Sequence, residues 1–152
     1  AAYYEDYLAD FPALATAGWG YTVECATQAI RMVLSGVFDE HPKLQMILGH
    51  MGETLPFLIW RVNQALSREE NTASRSFREI FEAHFHVTTS GNFSNPALLC
   101  TVQEMGVDRV MFSVDYPFVE NGPGAEWAEQ LSFSREDRVK ILNGNARRLL
   151  RL

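Results

Sequence analysis

Apolar positions recur along this chain in two alternating rhythms. From Tyr21 onward, Val23, Ala26, Thr27, Ile30, Leu34 and Val37 return at three- and four-residue steps and predict an amphipathic helix. Asp39-Glu40-His41-Pro42 should end it, since a residue before proline is pushed out of the helical region. Leu44 to Leu48 is a short apolar run, read as a buried strand closed by Gly49 and His50. Thr54 as N-cap and Pro56 in the first turn predict a second helix with an apolar face of Leu55, Leu58, Ile59, Val62 and Leu66. Residues 67–76 read as an exposed polar connection. Phe77 to Ala83 reads as helix, Phe85 to Thr89 as strand and Ser90-Gly91-Asn92 as loop. A helix Asn95 to Met105 follows, with Asn95 as its cap and Pro96 in the first position; then come a strand Arg109 to Val114 and a loop Asp115-Tyr116-Pro117. Helical segments are expected at about 124–131 and 135–142, the second capped by Ser134. Asn143-Gly144-Asn145 should break the chain before a last helix, Ala146 to Leu150.

Short apolar strands alternating with helices predict a parallel sheet built from βα units. Three strands do not close a parallel sheet, which needs helices on both faces or closure into a barrel. A (β/α)₈ barrel takes about 250 residues, so the expectation is an α/β chain holding part of one. The opening Ala1-Ala2-Tyr3-Tyr4, without an initiator methionine, is likewise read as a piece of something longer.

Composition narrows the function classes. Hydrophobic residues at 47% and charged residues at 21% of 152 place the chain among soluble globular proteins. A formal charge of −6 argues against nucleic acid, because no basic stripe is available to neutralise phosphates. Arg147, Arg148 and Arg151 read as a solvated helix end. No apolar run is long enough to span a bilayer, and no signal peptide opens the chain. Cys25 and Cys100 sit in apolar helical patterns without metal spacing. They are expected to be buried free thiols in a reducing, cytoplasmic compartment.

The candidate chemistry lies where strands end. Ile47-Leu-Gly-His50-Met-Gly-Glu53 and Phe112-Ser-Val-Asp115-Tyr-Pro-Phe118 each run from an apolar stretch into one ionisable side chain followed by turn formers. A histidine and an aspartate at the carboxyl ends of two strands can converge on one pocket, to bind a metal or move protons. The bland alternatives are a satisfied core histidine and a turn-forming aspartate. Glu53, three residues after His50, can accept from one ring nitrogen and leave the other facing the pocket; it can equally serve as a favourable charge at a helix N-terminus. His84 and His86 alternate along a strand and would share a face, yet read as structural, while His41 before Pro42 reads as helix-end chemistry. Arg61 reads as an exposed helical arginine, and Trp60 and Phe118 as core rather than pocket wall. Asn92 and Asn143 to Asn145 read as loop residues satisfying backbone groups.

Four stretches also carry a family resemblance: Gly36 to Glu53, Thr88-Thr-Ser-Gly-Asn92, Asp108 to Phe118 and Asn143-Gly-Asn-Ala146. Together they resemble the amidohydrolase-2 branch of the amidohydrolase superfamily, nearest to its γ-resorcylate (2,6-dihydroxybenzoate) type of metal-dependent, non-oxidative decarboxylases. The resemblance implies the C-terminal portion, about strands 6–8, of a (β/α)₈ TIM-type barrel, so that residues 1–152 form one part of a single barrel domain without its N-terminal strands. It implies a carboxy-lyase acting on a hydroxylated aromatic carboxylate, with a hydrolase or hydratase of the same barrel, or a non-catalytic half-barrel, as the alternatives. By the same resemblance, His50, Glu53 and Asp115 are catalytic, Asp115 is also a metal ligand, and Arg61 and Phe118 meet the substrate. One divalent metal, zinc or manganese, is implied, with most ligands outside this chain, so the chain alone should be inactive. Members of this family are oligomers, which implies a homo-oligomer here.

Overall fold

The computed structural model describes residues 2–68 and 73–152, so residues 69–72 of the expected polar connection lie outside the described residues. Three strands, β1 (Met46–Leu48), β2 (Phe85–Thr88) and β3 (Val110–Met111), form a parallel sheet in the order β1-β2-β3. Ile47 pairs with His86, and Val87 with Val110. Helices connect consecutive strands, as parallel pairing requires. No helix among the described residues is long and apolar enough to cross a membrane.

The core lies between the sheet and its helices. Phe38, Phe81 and Phe85 are fully buried, with Phe85 stacked on Phe81 at 4.7 Å between ring centroids and tilted against Phe38 at 5.3 Å. Val87, Leu98, Val110 and Ile141 complete it. Each such side chain contributes about 1.5–3 kcal/mol through removal from water. One residue in two along β2, Phe85 and Val87, faces these helices, and the alternation turns His86 and Thr88 to the opposite side.

Several expectations need correction. The first helix runs Gly20–Leu34 and stops there, because Gly36 takes a left-handed φ of 79° and starts a separate turn, Val37–Glu40, that drops Phe38 into the core. Its buried face is Ala26, Ala29 and Val33, with Thr27 exposed, so the helix is rotated to bring small residues against its neighbours. In the helix Leu55–Leu66, Leu55 and Ile59 are buried but Leu58 is exposed, and Thr54 makes no capping bond. Trp60 is not core; it is 66% exposed. Ser94, not Asn95, caps the helix Asn95–Met105 by accepting from Ala97 N, while Asn95 Oδ1 accepts from Trp127 Nε1 at 2.8 Å. Cys25 is exposed and Cys100 half-buried, so neither is a core thiol.

β3 is shorter than expected because Phe112 N turns away to Ile141 O at 2.9 Å. Asn143-Gly144-Asn145 does not break the chain either. Arg135–Val139 continues through a π-helical stretch, Lys140–Gly144, into Asn145–Leu150, with Gly144 and Asn145 both at helical φ/ψ. Asn145 is buried, and its Nδ2 donates to Val107 O at 2.8 Å and Val110 O at 2.7 Å. That pins the last helix under β3, and Arg148 adds bonds to Asp108 O and Asn145 Oδ1 rather than merely ending a solvated helix. The helix expected at about 124–131 runs Asn121–Glu129. The one at Phe77 extends to His84 and opens with a reciprocal cap in which Ser76 Oγ accepts from Glu79 N and Glu79 Oε2 accepts from Ser76 N.

Candidate active site at the carboxyl ends of the strands

Beyond β1 the chain enters a left-handed turn. His50, Met51, Gly52, Glu53 and Thr54 all have positive φ, at 48°, 57°, 80°, 54° and 67°. Only glycine adopts this region freely, and each other residue costs roughly 1–2 kcal/mol there. Burial of Met51, Gly52 and Glu53 and the 2.8 Å bond from Gly52 N to Gly49 O hold the turn in place. Gly52 could not be replaced cheaply, since a Cβ on it would lie 2.9 Å from Val87 Cγ1. The turn sets His50 and Glu53 side by side. His50 Nδ1 donates to Glu53 Oε1 at 2.6 Å, which leaves Nε2 as the outward nitrogen.

Asp115, beyond β3, is also left-handed, at φ 75°. Its carbonyl accepts from Phe118 N at 2.9 Å and Val119 N at 3.2 Å, closing a tight turn around the cis Tyr116–Pro117 bond. Gly91, at φ 77°, lets the loop after β2 press against it, as a Cβ there would meet Val119 Cγ2 at 2.7 Å and Val114 O at 3.2 Å. The result is convergence: Asp115 Oδ2 lies 3.6 Å from His50 Nε2. Burial would lower the pKa of His50, but the hydrogen bond and charge of Glu53, joined by those of Asp115, outweigh it and hold the imidazole above its usual 6.5.

His50, Glu53, Asp115 and Phe118 line one cavity of about 1020 Å³. Phe118 is 86% exposed there, so it is wall rather than core. Arg61 is exposed on its helix and is not part of this lining. Sequence reasoning missed Tyr21, Phe57 and Ser90, which also line the cavity. Phe57 had a usable signal, since it lies three residues after the His50–Thr54 turn, in the first turn of its helix, and falls outside that helix's apolar period. Tyr21 had none, because only the packing of its helix against the turn brings it there.

Two oxygens or nitrogens remain buried and unpaired among the described residues, Glu53 Oε2 and His86 Nδ1. Among the same residues, no group of three or more His, Cys, Asp and Glu side chains could hold a metal ion. The described residues thus do not make a metal centre by themselves, and any metal held through Asp115 would need further ligands from outside them. His84 and His86 do not supply one. His84 Nδ1 donates to Leu44 O and its Nε2 accepts from Arg75, while His86 Nε2 accepts from Arg109 at 3.0 Å. His41 ends the turn Val37–Glu40 and is exposed, as expected of a helix-end residue.

A family model described as amidohydrolase matches residues 8–152. The γ-resorcylate decarboxylase of Rhizobium sp. (strain MTP-10005) is 43% identical over 138 residues, covering 88% of this chain and 42% of the relative. A crystal structure of 2,6-dihydroxybenzoate decarboxylase complexed with 2,6-dihydroxybenzoate superposes with a TM-score of 0.93 at 40% identity, over 100% of this chain and 47% of that one. A dihydroxybenzoic acid decarboxylase from Polaromonas sp. JS666, with bound manganese and the inhibitor 2-nitroresorcinol, gives 0.91 at 37% identity, over 99% and 46%. The chain therefore spans a little under half the length of the relatives it matches.

Proposed function

This chain belongs to the amidohydrolase family, and on that premise we propose that the intact protein is a metal-dependent carboxy-lyase releasing carbon dioxide from a hydroxylated aromatic carboxylate. In this reading β1, β2 and β3 are strands six, seven and eight of a (β/α)₈ barrel, and residues 1–152 are the C-terminal part of that single domain. One divalent metal, zinc or manganese, would be held by Asp115 from this chain and by further ligands from the rest of the barrel. The chain on its own is inactive.

The observation that carries the reading is the approach of one imidazole and one carboxylate to 3.6 Å at the mouth of a cavity large enough for a benzoate-sized ligand. Loss of carbon dioxide without prior protonation would leave an electron pair on a ring carbon. Asp115 delivers a proton to that carbon, the C–C bond to the carboxylate breaks, and its electrons restore the ring. The Nδ1–H bond to Glu53 leaves His50 Nε2 unprotonated, so Nε2 takes a proton from solvent and passes it to Asp115. Phe118 offers a flat apolar face to the substrate ring. Arg61 reaches substrate only across an assembly of chains, which fits a homo-oligomer. Two free cysteines fit a reducing, cytoplasmic setting.

The test is product analysis of the intact, metal-loaded protein with 2,6-dihydroxybenzoate and related ring carboxylates. Carbon dioxide with stoichiometric resorcinol is the expected outcome. Water incorporation into a lactone or ring-cleavage product, with no carbon dioxide, would replace the lyase by a hydrolase or hydratase.

A further inference from the structure

His50 and Asp115 stand on the loops that follow the two outer strands, so their spacing is set by whatever lies between them at the end of β2. Three hydroxyl residues occupy that place. Thr89 is fully buried and its N donates to Met111 O at 3.0 Å, continuing the ladder one step past β2. There the backbone ladder stops and a side chain takes over. Thr89 Oγ1 donates to Ser113 O and accepts from Ser113 N at 2.9 Å, so one hydroxyl satisfies both backbone groups of a single residue. Ser113 Oγ in turn accepts from Ser90 N at 3.1 Å and bonds Ser90 Oγ at 3.1 Å, and Ser90 Oγ meets Thr88 Oγ1 at 2.9 Å. Ser90 also abuts the β1 loop, since a Cβ on Gly49 would lie 3.1 Å from its Oγ.

We propose that Thr89 is a positioning residue whose hydroxyl, through Ser113 and Ser90, sets the distance between Asp115 and His50. Ser113 is two residues before Asp115, and Gly49 is the residue before His50, so the chain of contacts ends at both loops. Neither loop is held by a long strand. β3 has two paired residues, and both site residues sit at positive φ, which the backbone leaves when nothing restrains it. Thr89 touches no reacting atom and is absent from the cavity lining. Its contribution is geometric, and a displacement of about 1 Å can cost on the order of a hundredfold in rate. The inference rests on the lyase reading for its kinetic arm only.

The experiment compares Thr89→Val, Thr89→Ser and Ser113→Ala in the intact protein by steady-state kinetics and by amide hydrogen exchange over residues 112–118. Valine keeps the shape and removes the hydroxyl. It should lower kcat by about tenfold or more with KM changed by less than about threefold, and speed exchange in this segment but not in Gly20–Leu34. Serine keeps the hydroxyl and should stay within about threefold of the parent kcat. A folded Thr89→Val protein with parental kcat and exchange overturns the proposal, and so do equal losses in the valine and serine variants. If Thr89→Val does not fold, Ser113→Ala decides: a several-fold loss of kcat supports the relay, and no change ends it. If the parent protein releases no carbon dioxide, the lyase reading fails on that result alone, and exchange over residues 112–118 then decides the positioning role.

Discussion

His50 and His86 stand on neighbouring strands, one past the carboxyl end of β1 and the other near the start of β2, and their surroundings make opposite bases of them. His50 has a carboxylate on each side, Glu53 at 2.6 Å from Nδ1 and Asp115 at 3.6 Å from Nε2, and its pKa is raised despite partial burial. His86 is buried, and Arg109 donates to its Nε2, with Arg148 close enough to add repulsion. Burial first, then these two cations, push its pKa down to about 4. The backbone differs in parallel. His86 lies in regular strand, while His50 and Asp115 both hold left-handed conformations. Strain and paired charge concentrate at one end of the sheet, and a neutral, structural histidine sits at the other. The residue type is shared; its neighbours decide which way its pKa moves.

The comparison breaks most sharply at Asp115. Asp115→Asn keeps the shape of the turn but cannot exchange a proton, so turnover of the intact protein should fall by roughly a thousandfold or more with the melting temperature nearly unchanged. Retained turnover would remove Asp115 from the chemistry. Glu53→Gln is the next test. It keeps one acceptor for His50 Nδ1 but removes the charge, and kcat should drop by about a hundredfold with a smaller change in KM. A loss confined to KM would mean that Glu53 shapes the cavity without steering the imidazole.

At the other end the readout is stability. The unfolded imidazole of His86 takes up a proton near 6.5 and the folded one near 4. Between those values the unfolded chain binds more protons, so the contribution of neutral His86 is complete above pH 6.5 and is lost as the pH falls toward 4. With solvent screening the loss amounts to about 2 kcal/mol. His86→Gln keeps an acceptor for Arg109 and should flatten that part of the pH–stability curve, measured by denaturant unfolding from pH 7 to 4.5. A slope equal to the parent's would assign the acid sensitivity to other groups.

Much of this was legible residue by residue. The turns at Gly49-His50 and Val114-Asp115 were marked by apolar runs stopping at turn formers, although β3 itself stops at Met111, and the parallel order followed from strands alternating with helices. What misled was local punctuation. Asn143-Gly144-Asn145 has the composition of a loop, yet Asn145 finds two backbone carbonyls beneath β3 and the helix continues through it. Thr54 looks like a cap, but the turn that precedes it carries it into the left-handed region, where its side chain makes no capping bond. The true cap at Ser76 and Glu79 obeyed the rule and needed no tertiary information.

The linear order of residues marked His50 and Asp115 as ionisable groups in the turns that follow apolar runs, because apolar periodicity and turn propensity are local properties. Tertiary structure decided the rest: that His50 and Asp115 face each other, that Phe118 and Tyr21 border the same space, and that Trp60 and Arg61 lie exposed outside its lining. Distances between side chains on separate strands depend on register, on left-handed turns held by burial, and on hydroxyl bonds such as those of Thr89, and these form only when distant segments pack together.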